Sequence, residues 1–173
     1  SADEDMLAAE AAYTAMEAEL QAYLDSYEAA HDYDEYHMDI DDIEHDPYVL
    51  MSILTAWFGG EWTMDEAGDV LGTLFDRQYI LTETVQTYGG GEDEYTVCTV
   101  TLENFYLSHL PVYIFPEEKL SLYAMYMGTL GNRPDLFPDS EYIAKYENAI
   151  LELEIPEEYF EDERFAAMME EAE

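Results

Sequence analysis

The sequence predicts an α+β fold. It has a long N-terminal helix, a winged-helix-like centre of two helices and a β-hairpin with a short third strand, and C-terminal helices. Three observations carry this. Apolar residues recur every three or four positions through 3–29, 47–58 and 63–76, which is the helical period. Val, Ile, Leu, Thr and Tyr alternate with polar residues in "QYILTETVQTY" (78–88) and "YTVCTVTLENF" (95–105), which is the strand period. "GGGEDE" (89–94) stands between those two runs as a flexible turn.

The elements follow in order. Met6, Ala9, Tyr13, Met16, Leu20, Tyr23 and Tyr27 form a heptad seam through 3–29. It serves either a helix packed on its own domain or a self-associating stalk. In 31–48, Tyr36, Met38 and Ile40 alternate with His37, Asp39 and Asp41, so a short edge strand fits there. Asp46 caps a second helix with Pro47 at its first position, Val49, Leu50, Ile53, Leu54 and Trp57 inward, and Gly59–Gly60 at its end. Thr63, with Glu66 three residues on, opens a third helix that buries Val70, Leu71, Leu74 and Phe75. "LPVYIF" (110–115) reads as a third, shorter strand with Pro111 near its start. A fourth helix over 117–130 turns Leu120, Tyr123, Ala124, Met127 and Leu130 inward, with Gly131 as its C′ residue. "NRPDLFPDS" is a loop, 140–147 a short helix, and Pro156 opens a last amphipathic helix. The segments are therefore 1–30 (amphipathic helix), 31–46 (acidic connector), 47–155 (α+β core) and 156–173 (C-terminal helix).

Charge narrows the function. Five basic residues face 42 acids, for a net charge of −37. Such a surface repels nucleic acid and anionic lipid over roughly a Debye length, about 8 Å at physiological salt. The helix at 64–76 would be the groove-reading element of a winged helix, yet it carries Asp65, Glu66, Asp69 and Asp76. Nucleic acid is excluded as a partner on that ground. The acids suit solubility in a salty or extracellular medium, or attraction for cations or a basic partner. Sixteen tyrosines argue against a disordered acidic tail. One cysteine, Cys98, rules out an internal disulfide. The opening "SADED" reads as a cut boundary, with any targeting segment upstream.

Candidate chemistry concentrates in "HDYDEYHMDIDDIEHDPY" (31–48). The stretch has no glycine for an EF-hand loop, so only a looser calcium site using Asp39, Asp41, Asp42 and Glu44 is open. His31, His37 and His45 are spaced by six and eight residues, which fits neither a helical face nor a zinc knuckle. The plain alternative is a solvated connector pinned by Tyr33, Tyr36, Met38, Ile40 and Ile43. Cys98 sits in a strand pattern and reads as a buried structural thiol. A nucleophile is more often found at a helix N-terminus beside a histidine, and His109 is close only in sequence. No catalytic residue is nominated and no cofactor is expected, since no nucleotide-binding fingerprint or hydrolase motif occurs.

Five phrases together resemble one family: "HDPYVLMSIL", "YILTETV", "YTVCTVTLENFYLSHLPVYI", "YMGTLGNRPDLFPDSEYI" and "RFAAMMEEAE". The family is the cell-wall hydrolases carried by conjugative mobile elements of Firmicutes, which end in an NlpC-type cysteine peptidase domain. The resemblance spans residues near 4–173. It implies a region between a membrane-proximal part and the peptidase, with 156–173 leading into that catalytic domain. The family's Tyr-Val-Trp-Gly-Gly and Asp-Cys-Ser-Gly-Phe stretches do not occur here, so no catalytic residue carries over, and Cys98 does not match the nucleophile's context. The family pattern has a longer Thr- and Tyr-rich insertion where "GGGEDE" stands. This is either a natural short form or an engineered deletion of a mobile loop.

The resulting expectation is a non-catalytic acidic scaffold at the surface of a Gram-positive cell. Its implied partners are its own peptidase domain, and a second copy or the conjugation machinery through the N-terminal helix. A membrane is reached only through a segment outside this sequence. An acidic DNA mimic and a divalent-cation-binding protein are the competing expectations.

Overall fold

The computed structural model describes residues 1–140. The helices expected at 140–147 and 156–173 therefore lie, Ser140 apart, outside the described residues.

Helix α1 runs Ala2–Asp25 and starts from a reciprocal cap. Ser1 Oγ accepts from the Glu4 N–H at 3.3 Å, and Glu4 reaches back to the Ser1 amine. Asp3, Glu4 and Asp5 lie at the positive end of the helix dipole. Ser26 interrupts the helix by donating its hydroxyl to the Ala22 carbonyl, and one further turn, α2, covers Tyr27–Ala30. The heptad seam drifts, as a 3.5-residue repeat must on a straight 3.6-residue helix. Met6, Ala9 and Tyr13 are buried, but Glu17 and Leu24 then replace Met16 and Tyr23 on the inner face. The helix packs on α3 and α4 of its own chain.

Helix α3 (Pro47–Phe58) is the central element. Asp46 caps it by accepting from the Tyr48 N–H at 2.8 Å. The periodicity predicts one inward face, yet every residue from Tyr48 to Leu54 is buried, because α1 and α6 both pack on it. Gly59 closes it in the left-handed region at φ 74°, where a side chain would be strained. The Lys119 ammonium reaches the Trp57 carbonyl at 2.5 Å, at the helix's negative end.

Helix α4 (Met64–Gln78) starts at Thr63, whose hydroxyl accepts from the Glu66 N–H at 3.3 Å. It buries Ala67, Val70, Leu71 and Leu74, while Phe75 is half-buried. It runs without a loop into β2 (Tyr79–Tyr88). Strand β3 (Tyr95–Asn104) returns antiparallel, in register from Tyr79 opposite Asn104 to Tyr88 opposite Tyr95. Gly89 makes that return at φ 73°, and a Cβ there would come within 2.7 Å of the Asp93 carbonyl oxygen, so only glycine fits.

The third strand is β1 (Glu35–Ile40), at the place where Tyr36, Met38 and Ile40 alternate. It pairs parallel with β3, from Glu35 opposite Val97 to Ile40 opposite Leu102, giving the order β1-β3-β2. Cys98, Val100, Leu102 and Asn104 of the middle strand face the core.

"LPVYIF" is not a strand. Leu107–His109 form a 3-10 turn and Pro111–Ile114 one turn of helix, α5. A short apolar run does not distinguish strand from helix, and Pro111 here takes the first helical position, where it needs no N–H partner. Helix α6 (Glu117–Gly131) buries Tyr123, Ala124 and Met127. Gly131 is its last residue rather than a left-handed C′ residue. The chain tightens instead, with Asn132 N–H on Thr129 O and Arg133 N–H on Leu130 O. The following loop is fastened by Leu136 and Phe137, both buried, and by the Tyr48 hydroxyl donating to the Arg133 carbonyl at 2.7 Å. No helix among the described residues is long and apolar enough to cross a membrane.

Candidate functional site

The densest polar chemistry lies under α1, where the loop before α3 meets the junction of α4 and β2. Glu10 and Glu17 are seven residues apart on one side of α1. Between them sits the His45 imidazole, only 2% exposed. Its Nε2 lies 2.5 Å from Glu10 Oε1 and its Nδ1 2.7 Å from Glu17 Oε1. The second Glu17 oxygen accepts from the Tyr79 hydroxyl, which also reaches the Glu44 carbonyl at 3.1 Å. Beside this clamp, Tyr13 donates to Gln78 Oε1 at 2.5 Å. Gln78 Nε2 donates to Asn104 Oδ1 at 3.1 Å and to the Glu44 carbonyl at 3.2 Å. Asn104 Nδ2 donates to the Asp42 carbonyl at 2.8 Å. Each buried polar group of this network thereby gains a partner, which is the condition for burying it.

Electrostatics set the state of the histidine. Burial alone lowers its pKa, but the two carboxylates outweigh that and raise it to about 9. At neutral pH the ring is therefore a cation with both N–H groups donated to carboxylates. It offers no lone pair to a substrate proton or a metal, so it is held for structure rather than poised as a general base. Burial, followed by the Glu17 bond, pushes the Tyr79 hydroxyl up as well, so it stays protonated.

A cavity of about 740 Å³ opens next to the clamp. Among the described residues its wall sets four carboxylates, Glu10, Glu44, Asp46 and Asp139, against the one His45 cation, with Tyr106, Leu107 and Phe137 and no lysine or arginine. Such a lining favours positive charge and disfavours phosphate or carboxylate ligands. Asp46 is divided between the α3 cap and the Ser140 hydroxyl, which donates to it at 3.1 Å; burial raises its pKa.

The three histidines of the 31–48 stretch go to three places. His31 stacks on Tyr27 with ring centroids 3.8 Å apart, and its Nδ1 lies 2.7 Å from the Tyr27 carbonyl. His37 is exposed and pairs with Glu35 at 2.6 Å. Only His45 enters the interior. Asp39 lies exposed on β1, and Asp41 Oδ2 accepts from the Asn104 N–H at 2.9 Å. Asp42 and Glu44 turn their carbonyls inward while the residues themselves stay exposed. Among the described residues no three His, Cys, Asp or Glu side chains gather to hold a metal ion, so Asp39, Asp41, Asp42 and Glu44 do not form such a set. Cys98 is fully buried in β3, with the Tyr27 hydroxyl 3.5 Å from its sulfur. His109 lies in the 3-10 turn beyond β3, edge-on to the Tyr106 ring.

Sequence reasoning did not find the roles of Glu10, Glu17, Gln78 and Asn104. The available signal was two acids seven apart beside the apolar seam, and two uncharged amides at the ends of a helix and a strand. No protein-family model matches the chain, and no curated protein and no solved structure matches it either.

Proposed function

We propose that this chain is a non-catalytic, acidic scaffold and interaction module of a mobile-element cell-wall hydrolase, holding the peptidase domain in place at the cell surface. The quoted phrases support the family assignment. The observation that supports a scaffold is the fastening of α1, roughly 36 Å long, along its whole length. Asp3 takes both nitrogens of Arg133 at 2.9 Å, and Asp5 accepts from the Met64 N–H at 3.0 Å. Tyr13 and the His45 clamp hold the middle, and Tyr23 donates to Glu83 at 2.7 Å near the far end. A helix tied at five points transmits position. The same polar groups, being engaged with one another, are poorly placed for chemistry on a substrate. The inner seam of α1 is occupied within the molecule, so a contact with the conjugation machinery would use its outer face.

Two measurements test this reading. Purified peptidoglycan incubated with the chain should release no muropeptides, and release would overturn the non-catalytic role. The coding sequence beyond residue 173 should continue into a Cys/His peptidase, and a stop codon there would overturn the assignment to a hydrolase.

A further inference from the structure

The geometry points to the outer edge of β1 as a docking strand for an extended basic polypeptide in which Lys or Arg alternates with apolar residues. This deepens the interaction-module reading and rests on it. Among the described residues strand β1 is an edge of the sheet, in the order β1-β3-β2. The Asp41 N–H donates to the Leu102 carbonyl. Backbone groups alternate sides along a strand, so Glu35, His37 and Asp39 also face β3, and the N–H and C=O groups of Tyr36, Met38 and Ile40 face outward. Those outward groups are what an added strand pairs with.

The edge lacks the lysine, proline and bulge that usually block pairing, and its two charges, Glu35 and Asp39, are ones a basic strand would meet with opposite sign. Residues 35–40 include no Pro or Lys, and their one-to-one register with β3 contains no bulge. The middle of the strand is open to solvent, with His37 and Asp39 exposed and Met38 38% exposed.

Side chains define the occupant. A strand laid roughly 4.8 Å outside β1 would place alternate residues beside Glu35, His37 and Asp39 on one face. The others would lie beside Tyr36, Met38 and Ile40 on the opposite face. Acid on one face and apolar surface on the other calls for basic and apolar residues in alternation. A second copy fits poorly, since each chain carries −37 and only five basic residues. The other sheet edge, β2, has Glu83 as its one charged residue, and that carboxylate already accepts from the Tyr23 hydroxyl, so it favours a basic strand less than β1 does.

The test uses a labelled peptide of five Lys-Val repeats and its block isomer, in which all the lysines precede all the valines, so that the charge is the same. We expect the alternating peptide to bind about tenfold tighter by fluorescence anisotropy. Exchange of the Met38 and Ile40 amide protons should slow by about tenfold or more at saturation. N-methylating the alternating peptide at every second residue should remove that preference. So should Met38→Pro, which deletes an outward N–H and leaves the bonds to β3 in place. Equal binding of the two isomers, or unprotected Met38 and Ile40 amides in the bound state, overturns the inference. The modified peptide and the exchange data decide the matter even where Met38→Pro unfolds the sheet. Failure here leaves the peptidoglycan result untouched, and muropeptide release would leave this edge unaffected.

Discussion

Raising the pH from 6 to 10 should strip one stabilising interaction from the centre of this protein. The His45 pKa stands at about 9 in the folded chain, against 6.5 for an ordinary histidine. A folded-state pKa above the unfolded one gives a contribution that is complete below pH 6.5. That contribution falls as the pH rises through the window and is gone above 9. Each pH unit corresponds to about 1.4 kcal/mol, so about 3 kcal/mol is lost across the window. A small domain has about 5–15 kcal/mol in all, so the loss is large enough to measure. Burial keeps the neighbouring Tyr13 and Tyr79 hydroxyls protonated across this window. Urea unfolding at pH 6, 7.5, 9 and 10 should therefore show a falling midpoint in the native chain. His45→Gln keeps an amide donor but cannot titrate, so its midpoint should start lower and change little. Parallel pH profiles for the two proteins, or an imidazole resonance titrating near 6.5, would refute the reasoning.

Other outcomes follow from the same contacts. Tyr13→Phe leaves Gln78 Oε1 buried without its donor and should cost about 1–3 kcal/mol in chemical denaturation. Asp46→Ala removes the α3 cap and the acceptor for Ser140, and should cost about 1 kcal/mol or somewhat more in the same assay. Leu50→Ala empties a fully buried position on the central helix and should cost about 2–5 kcal/mol, read as a lower melting temperature. The Cys98 thiol should react with an aromatic disulfide reagent only once denaturant opens the chain. Rapid reaction of the native protein would contradict its burial.

The sequence is most readable where local physics dominates. Thr63 and Asp46 announce their helices because a short oxygen side chain there satisfies an N–H that the helix cannot. The hairpin is visible because "GGGEDE" separates two runs of period two. The run at 110–115 misleads because six residues are too few to display a period, and because Pro111 suits either element. The parallel pairing of β1 with β3 joins residues some sixty apart, and no local pattern encodes it. The clamp is hidden for the same reason. Glu10 and Glu17 resemble the many solvated acids around them until folding brings His45 between them from 28 and 35 residues away. In a chain this acidic, composition conceals the few carboxylates that matter.

The bidentate bond between Asp3 and Arg133 joins positions 130 residues apart in the chain. If the module links two larger parts, tension entering near residue 3 and leaving near residue 133 is shunted across that pair and the adjoining α1–α3–α6 stack. The hairpin lies off that load path. It would remain mechanically slack under pulling, and the body would yield first by peeling α1 from its amino end rather than by shearing the sheet.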